Sequence, residues 1–341
     1  MTDNTPRFPE MEDESSSKKS KKVSLWVLGS FLVALLIAAG LAWGWLSKFQ
    51  DFETIGEAFP EEELRPAITE PAEGHDDPAV NILLLGSDSR ADTSKPILDD
   101  LGSRADSIMV AHIPSDRSGV QIMSIMRDSW VDIPGHGQSK INAALAYGGV
   151  PLMVQTVEGL LDQRIDHIAV IDFNGFKNLT DAVGGVEVNN PRAFSVDGMS
   201  FAEGPITLDG DEALIFVRER YAFSDGDYSR AANQQLFMRS FAQEVLTRDT
   251  LTNPAKMNEL VETTTPYVAF DGDFGISQML GLGTSMSSVR SDDITSFTLP
   301  TTGTGRESGG QSVVYVDWDE LEEVRERFNN DDLADYQPEP Y

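Results

Sequence analysis

Apolar and polar positions along this chain fall into blocks whose period and length suggest its elements. The first block, Val23 to Leu46, is uncharged over about 24 residues, enough to span a bilayer as a helix. Trp26, Trp43 and Trp45 lie near its ends, where indole rings settle at membrane interfaces. Lys18, Lys19, Lys21 and Lys22 precede it, and Asp51, Glu53, Glu57 and Glu61 to Glu63 follow. That asymmetry predicts an N-terminus in the cytoplasm and a domain on the outer side of the cytoplasmic membrane. Gly40-Leu41-Ala42 offers a small-x-small step for cleavage, but the run is longer than a usual signal-peptide core, so a retained single-pass anchor is expected. Residues 1–22 read as a disordered cytoplasmic tail, 23–46 as the span and 47–77 as a juxtamembrane linker. An extracytoplasmic domain is expected over 78–328, with a disordered acidic tail over 329–341.

Within that domain, Val80 to Leu85 (VNILLL) is a short apolar run ending in Gly86, the pattern of a strand buried on both faces. Ile108 to Ile113 and Val120 to Met126 predict two more strands, joined as a hairpin through the turn Asp116 to Gly119. Lys140 to Ala144 reads as a short helix closed by Gly148-Gly149, and Pro151 to Leu161 as a second with Pro at its start. A strand over Ile165 to Phe173 precedes a helix over Asn174 to Val183 that Gly184-Gly185 stops. Val186 to Val188 is a short extended piece. Asn253-Pro254 opens a further helix, and Ile276 to Met286 another. Ile294 to Leu299 and Val313 to Val316 are the last strands, before an amphipathic helix over Asp319 to Phe328. Strands and helices mix without steady alternation, which points to one α/β domain: a mixed sheet with helices on both faces.

Composition narrows the chemistry. Lys and Arg total 26 against 56 Asp and Glu, a formal net charge of -30, which argues against a nucleic-acid surface. With no cysteine, thiol catalysis, Cys-based zinc sites and disulfides are excluded. None of the four histidines stands in an H-E-x-x-H spacing. There is no G-x-x-x-x-G-K-[ST] loop and no G-x-S-x-G elbow. Carboxylates and arginines remain, and they cluster.

Strand ends carry Asp88, Arg90, Arg104, Asp106, Arg127 and Asp128. Asp88 and Asp106 could share one Mg²⁺, which binds through one or two carboxylates plus phosphate oxygens. Either could equally cap a loop or pair with Arg90 or Arg104. The stretch Leu208 to Arg239 sets Arg218, Arg220 and Arg230 close together. Asp209 with Glu212 is in capping-box register for a helix that ends near Arg218 and Arg220. A second helix from about Ser229 buries Phe237, Phe241 and Val245 and turns Arg230 and Gln234 to one side. Three converging guanidinium forks suit a multiply charged oxyanion such as a pyrophosphate, although pairing with surface carboxylates is the plainer alternative.

Taken in order, the pieces are NILLLGSDSR (Asn81 to Arg90), SRADSIM (Ser103 to Met109), SIMRDSWVDIPG (Ser124 to Gly135) and KINAALAYGG (Lys140 to Gly149). DFNGF (Asp172 to Phe176), VGGVEV (Val183 to Val188), LDGDEALIFVRER (Leu208 to Arg220) and DYSRAANQQ (Asp227 to Gln235) follow. This ordered set resembles the LytR-CpsA-Psr family of bacterial envelope proteins. The resemblance implies an α-β-α sandwich with a central mixed sheet and an apolar groove for a prenyl chain. It implies a phosphotransferase that moves a glycopolymer from a polyprenyl-pyrophosphate carrier onto a peptidoglycan sugar hydroxyl, forming a phosphodiester. On that resemblance Asp88 and Asp106 hold Mg²⁺, or Mn²⁺ in its place. Arg104, Arg127, Arg218, Arg220, Arg230 and Gln234 grip the pyrophosphate, with Asp88, Asp106, Arg104 and Arg127 nearest the chemistry. Arg90 and Lys140 lie behind them or near the acceptor. Met126 stands where the family often has Pro, and Ser107 where it usually has Thr. Two alternatives remain at this stage: a pyrophosphatase acting on the lipid-linked donor, and a non-catalytic envelope scaffold or regulator.

Overall fold

The central strands over Val80–Ser87, Ala105–Ile113 and Val120–Ile125 form where the apolar runs fall, and their register brings charged residues at their ends together. In chain order a computed structural model has β1 (Glu53–Ile55), β2 (Val80–Ser87), β3 (Ala105–Ile113), β4 (Val120–Ile125), β5 (Ser129–Ile133), β6 (Gly137–Lys140) and α1 (Ala143–Leu161). There follow β7 (His167–Asp172), α2 (Phe173–Ala182), β8 (Val186–Asn190), β9 (Phe194–Val196), β10 (Met199–Phe201) and β11 (Gly204–Leu208). The remainder is α3 (Gly210–Arg218), α4 (Asp227–Val245), β12 (Val268–Asp271), α5 (Ile276–Ser285), β13 (Ile294–Thr298), β14 (Thr301–Arg306), β15 (Ser312–Val316) and α6 (Trp318–Asn330). The structure describes residues 53–68, 70–72, 74–87, 105–223, 227–245, 262–263, 265–307 and 309–338. The expected span and cytoplasmic tail, Asp88, Arg90, Arg104 and the helix expected at Asn253 lie outside them. Among the described residues no helix is long and apolar enough to cross a membrane.

Seven strands make the central sheet in the order β1-β12-β7-β2-β3-β4-β13. It is mixed: β2 runs antiparallel to β3 and parallel to β7, and β3–β4 is the expected hairpin. Successive side chains on a strand face opposite sides. Leu83 and Leu85 therefore join one core, with Ile108, Val110, Met153, Val157, Leu321 and Phe328. Ile82 and Leu84 join the other, with Met109, Met238, Met279 and Leu282. Helices α1 and α6 thus cover one face, and α4 and α5 the other, which is the layered arrangement expected. Among the described residues, a four-stranded sheet, β14-β15-β5-β6, the hairpin β9–β10 and the antiparallel pair β8–β11 hold the other strands.

Several local expectations hold. Helix α1 bends at Gly148 and Gly149, whose φ values of -148° and 65° leave the helical region, so two helical pieces meet there as the glycines suggest. Gly184 and Gly185, both at φ 91°, stop α2.

Three boundaries differ from the sequence reading. Lys140 ends β6, paired with Trp130, instead of opening a helix; strand pairing outweighs its helical propensity. The expected linker 47–77 contains β1, an edge strand parallel to β12, and Arg65, whose Nη2 meets buried Glu158 at 2.7 Å. The expected disordered tail from Asn329 is packed as far as it is described: Leu333 and Tyr336 are buried, and the Tyr336 hydroxyl donates to Glu320 Oε1 at 2.6 Å.

Candidate active site

The site lies where β2 and β7 end and β3 begins, beneath α2, α3 and α4. Asp209 accepts from the Glu212 N–H at 2.9 Å, and the Glu212 carboxylate accepts from the Asp209 N–H at 3.2 Å, so the capping box forms as read. Gly210 lets α3 press against α2: a Cβ there would meet the Lys177 carbonyl oxygen at 2.5 Å. At the other end, α3 has carbonyls left over by its last turn. Asn233 Nδ2 donates to Phe216 O at 3.1 Å, and Gln234 Nε2 to Val217 O at 3.3 Å, tying that end to α4. Glu219, buried, accepts from the N–H groups of Tyr221 and Ala222, which fixes the turn after α3.

This scaffold sets the arginines at the rim of a cavity of about 760 Å³. Arg127, Arg218, Arg220, Arg230 and Gln234 all line it, as does Asp106. Arg218 stands over the Phe173 ring, 4.5 Å from its centroid, and is exposed. Arg220 lies over the Tyr221 ring and donates to its hydroxyl. Arg127 Nη1 donates to Asp106 Oδ1 in an ion pair with both side chains 22% exposed. Away from this rim the lining is apolar: Leu84, Met109, Ala169, Ile171, Phe176, Leu179, Leu214, Ile215, Phe237, Phe241 and Phe270.

Of the residues singled out in the sequence, six therefore meet at one cavity: Asp106, Arg127, Arg218, Arg220, Arg230 and Gln234. Lys140 is not among the lining residues; its Nζ pairs with Asp128 Oδ1 at 3.0 Å, behind Arg127. Asp88, Arg90 and Arg104 lie outside the described residues. The β2–β3 register sets Ser87, the residue before Asp88, opposite Ala105, the residue before Asp106. Among the described residues no group of three His, Asp or Glu converges on a metal position. Mg²⁺ does not require such a group, since it binds through one or two carboxylates and completes its shell with phosphate oxygens and water. A partly exposed Asp106 at the rim fits that mode.

Sequence reading missed Asp172, Phe173, Glu219 and Tyr221, which also line the cavity. Asp172 caps α2, its Oδ1 accepting from the Gly175 N–H at 2.7 Å. Asp172 and Phe173 open the DFNGF segment, whose strand-to-helix switch marks the position. Tyr221 is 80% exposed, an unusual state for a large aromatic ring and one that pattern alone does not reveal.

Comparison with known proteins places this geometry. The family model for LytR_cpsA_psr matches residues 49–330. "Polyisoprenyl-teichoic acid--peptidoglycan teichoic acid transferase TagU" of Enterococcus faecalis is 32% identical over 321 residues, covering 92% of this chain and 98% of its own. "Cell wall biosynthesis protein LcpA" of Corynebacterium glutamicum is 33% identical over 308 residues, covering 77% of this chain and 57% of LcpA. The crystal structure of B. subtilis TagV superposes with a TM-score of 0.63 at 27% identity, covering 76% of this chain and 99% of that one.

Proposed function

The chain belongs to the LytR-CpsA-Psr family, and we propose that it transfers a glycopolymer from a polyprenyl-pyrophosphate carrier onto a peptidoglycan sugar hydroxyl. The observation that carries this reading is the shape of the cavity: an apolar interior opening through a rim of four arginines. An amphiphile with an isoprenoid tail and a doubly charged phosphate head is complementary to both parts. The names of TagU and LcpA, a teichoic acid–peptidoglycan transferase and a cell-wall biosynthesis protein, support the same class of reaction.

In the proposed reaction a sugar hydroxyl oxygen bonds to the phosphorus next to the glycan. The P–O bond of the anhydride breaks, and polyprenyl phosphate leaves with the electron pair. The hydroxyl proton passes to solvent through the open rim. Arg218, Arg220 and Arg230 hold the two phosphates, and their fixed charge offsets the charge that grows on the leaving group. Arg127, anchored on Asp106, orients the phosphoryl group that is attacked. Gln234 acts by holding the end of α3 as well as by lining the cavity. Asp88 and Asp106 would hold Mg²⁺, or Mn²⁺, which when bound neutralises charge on phosphoryl oxygens. The apolar run 23–46 would anchor the chain in the cytoplasmic membrane with the catalytic domain outside, beside the lipid carrier.

The test uses the full chain in detergent with a lipid-linked glycan donor, with and without purified peptidoglycan, and with Mg²⁺ or a chelator. Expected are release of polyprenyl phosphate and appearance of glycan on peptidoglycan, both dependent on the divalent ion. Equal release without acceptor and no glycan on peptidoglycan would assign a pyrophosphatase instead. No release under any condition would leave an envelope scaffold.

A further inference from the structure

The four-stranded sheet turns Ser129, Val131, Ile133, Val314 and Val316, all buried, toward the core. On its other side one row crosses all four strands: Gly303 pairs with Tyr315, Tyr315 with Trp130, and Trp130 with Lys140. Neighbouring strands are about 4.8 Å apart, so the two aromatic side chains stand next to each other in the middle of the row. Both are half-buried. The Tyr315 ring lies across β14, where a Cβ on Gly305 would sit 2.3 Å from it, so the glycine makes room for a flat ring. Polar groups fringe the pair. Trp130 Nε1 donates to Gln138 Oε1 at 3.2 Å, and the Tyr315 hydroxyl donates to Glu307 Oε1 at 2.9 Å.

A ring laid flat on a sheet presents a face to the C–H side of a pyranose, and adjacent amides and carboxylates meet its hydroxyls. The row is continuous with the transfer site. β5 starts two residues after Arg127, and Asp128 between them pairs with Lys140 of the row. The charge on this face chooses between two glycans. Asp128, Asp132 and Glu307 lie along it; Lys140 and Arg127 both pair with Asp128, and Arg306 precedes Glu307, so the face holds no excess of positive charge to draw a phosphate-bearing polymer and admits a sugar backbone without phosphates. We infer that this face binds the acceptor, a peptidoglycan glycan strand of N-acetylated hexosamines, and delivers its hydroxyl to the arginine rim. The acceptor's role rests on the transfer reading above; glycan binding by the face does not.

The experiment titrates the full chain in detergent with glycan oligomers released from peptidoglycan by a muramidase, and separately with soluble teichoic acid. Trp130→Ala should weaken oligomer binding by about tenfold, and Gln138→Ala, at an exposed position, by about threefold. Affinity for the lipid-linked donor should stay at the wild-type value in both. If Trp130→Ala does not fold, Gln138→Ala with Tyr315→Phe decides. No oligomer binding by the wild type, or equal binding by folded variants, overturns the assignment. Loss of teichoic acid binding in the same variants would give the face to the donor polymer and overturn it too. Variant-sensitive oligomer binding in a protein that performs no transfer would sink the transfer reading while the glycan site stands.

Discussion

Replacing Arg218 with lysine separates fork geometry from charge. Arg218 is exposed at the end of α3, with its guanidinium over Phe173 at 4.5 Å. Lysine keeps the positive charge and can stay over the ring, so the cation–π loss should be below about 1 kcal/mol. For a domain of this size that is a melting shift of no more than about 2–4 °C. What lysine cannot reproduce is a planar, bidentate contact to phosphate. Losing one charged hydrogen bond there costs about 1.5–3 kcal/mol, or roughly ten- to 150-fold in rate. If the bond tightens as charge develops on the leaving phosphate, the loss should fall on kcat more than on KM. The assay is transfer of glycan from a lipid-linked donor to peptidoglycan, with thermal melting measured on the same preparation. Turnover within threefold of wild type would refute the reasoning, because an arginine that only decorates the rim tolerates this change. A melting drop well beyond 4 °C would refute it differently, by showing that Arg218 is structural.

Ala169→Phe projects a ring into the apolar cavity; the KM for a long-chain prenyl donor should rise about tenfold or more, with little change for a short-chain donor. Equal effects on both donors would move the prenyl chain elsewhere. Arg65→Ala strips the partner from Glu158, which is 1% exposed, and breaking a buried pair costs about 3–5 kcal/mol, roughly 6–20 °C in melting. A drop of less than about 2 °C would mean that the N-terminal segment is not anchored through this pair. Asp331 adds an acid dependence. Burial alone would raise its carboxyl, but hydrogen bonds from His112 and from the Ser115 N–H outweigh that and hold it below its ordinary value. A depressed folded value means stability that is present above the unfolded value and lost as pH falls through the folded one. Asp331→Asn should therefore be less stable at neutral pH and lose less on acidification below about pH 4, measured by denaturant melts across pH. Parallel pH curves for the two proteins would rule out this linkage.

What the sequence disclosed follows from how local each cause is. The Asp209–Glu212 box and the breaks at Gly148-Gly149 and Gly184-Gly185 depend on a few neighbouring residues, and the pattern showed them. The run Val80 to Leu85, apolar but for Asn81, announced a strand buried on both faces because both faces are in fact covered. By contrast β14, TTGTGR, has branched threonines but two glycines and no apolar residue to mark a buried face. It is extended because β15 pairs with it, and pairing is a property of two segments. Lys140 was read into a helix for the same reason: its partner Trp130 is ten residues away. The candidate site was legible at its charged rim, since Arg218, Arg220 and Arg230 stand close together in a chain of net charge -30. Its apolar depth was not, because Phe237 at 1% exposure and Phe241 on the next turn differ in surroundings and not in kind.

The acidity of the chain and the anionic character of the proposed donor look opposed, and the geometry reconciles them. Charges separated by more than a Debye length, about 8 Å at physiological salt, barely interact across solvent. Most of the excess carboxylates behind the net charge of -30 therefore act only on their own neighbourhoods. At the rim the balance is local: Arg127, Arg218, Arg220 and Arg230 stand with Asp106, Asp172, Asp197 and Glu219. Two of those four carboxylates have work elsewhere, Asp172 on the Gly175 N–H and Glu219 on the turn after α3. Asp106 is paired with Arg127, and Asp197 is exposed to solvent, which screens it. A low-dielectric apolar wall behind the rim strengthens the field of the guanidinium groups there, while the acidic surface elsewhere discourages phosphates from binding. An acidic protein with such a cationic opening thus selects where an anion binds more sharply than a basic protein would, and the apolar depth behind that opening selects which anion stays.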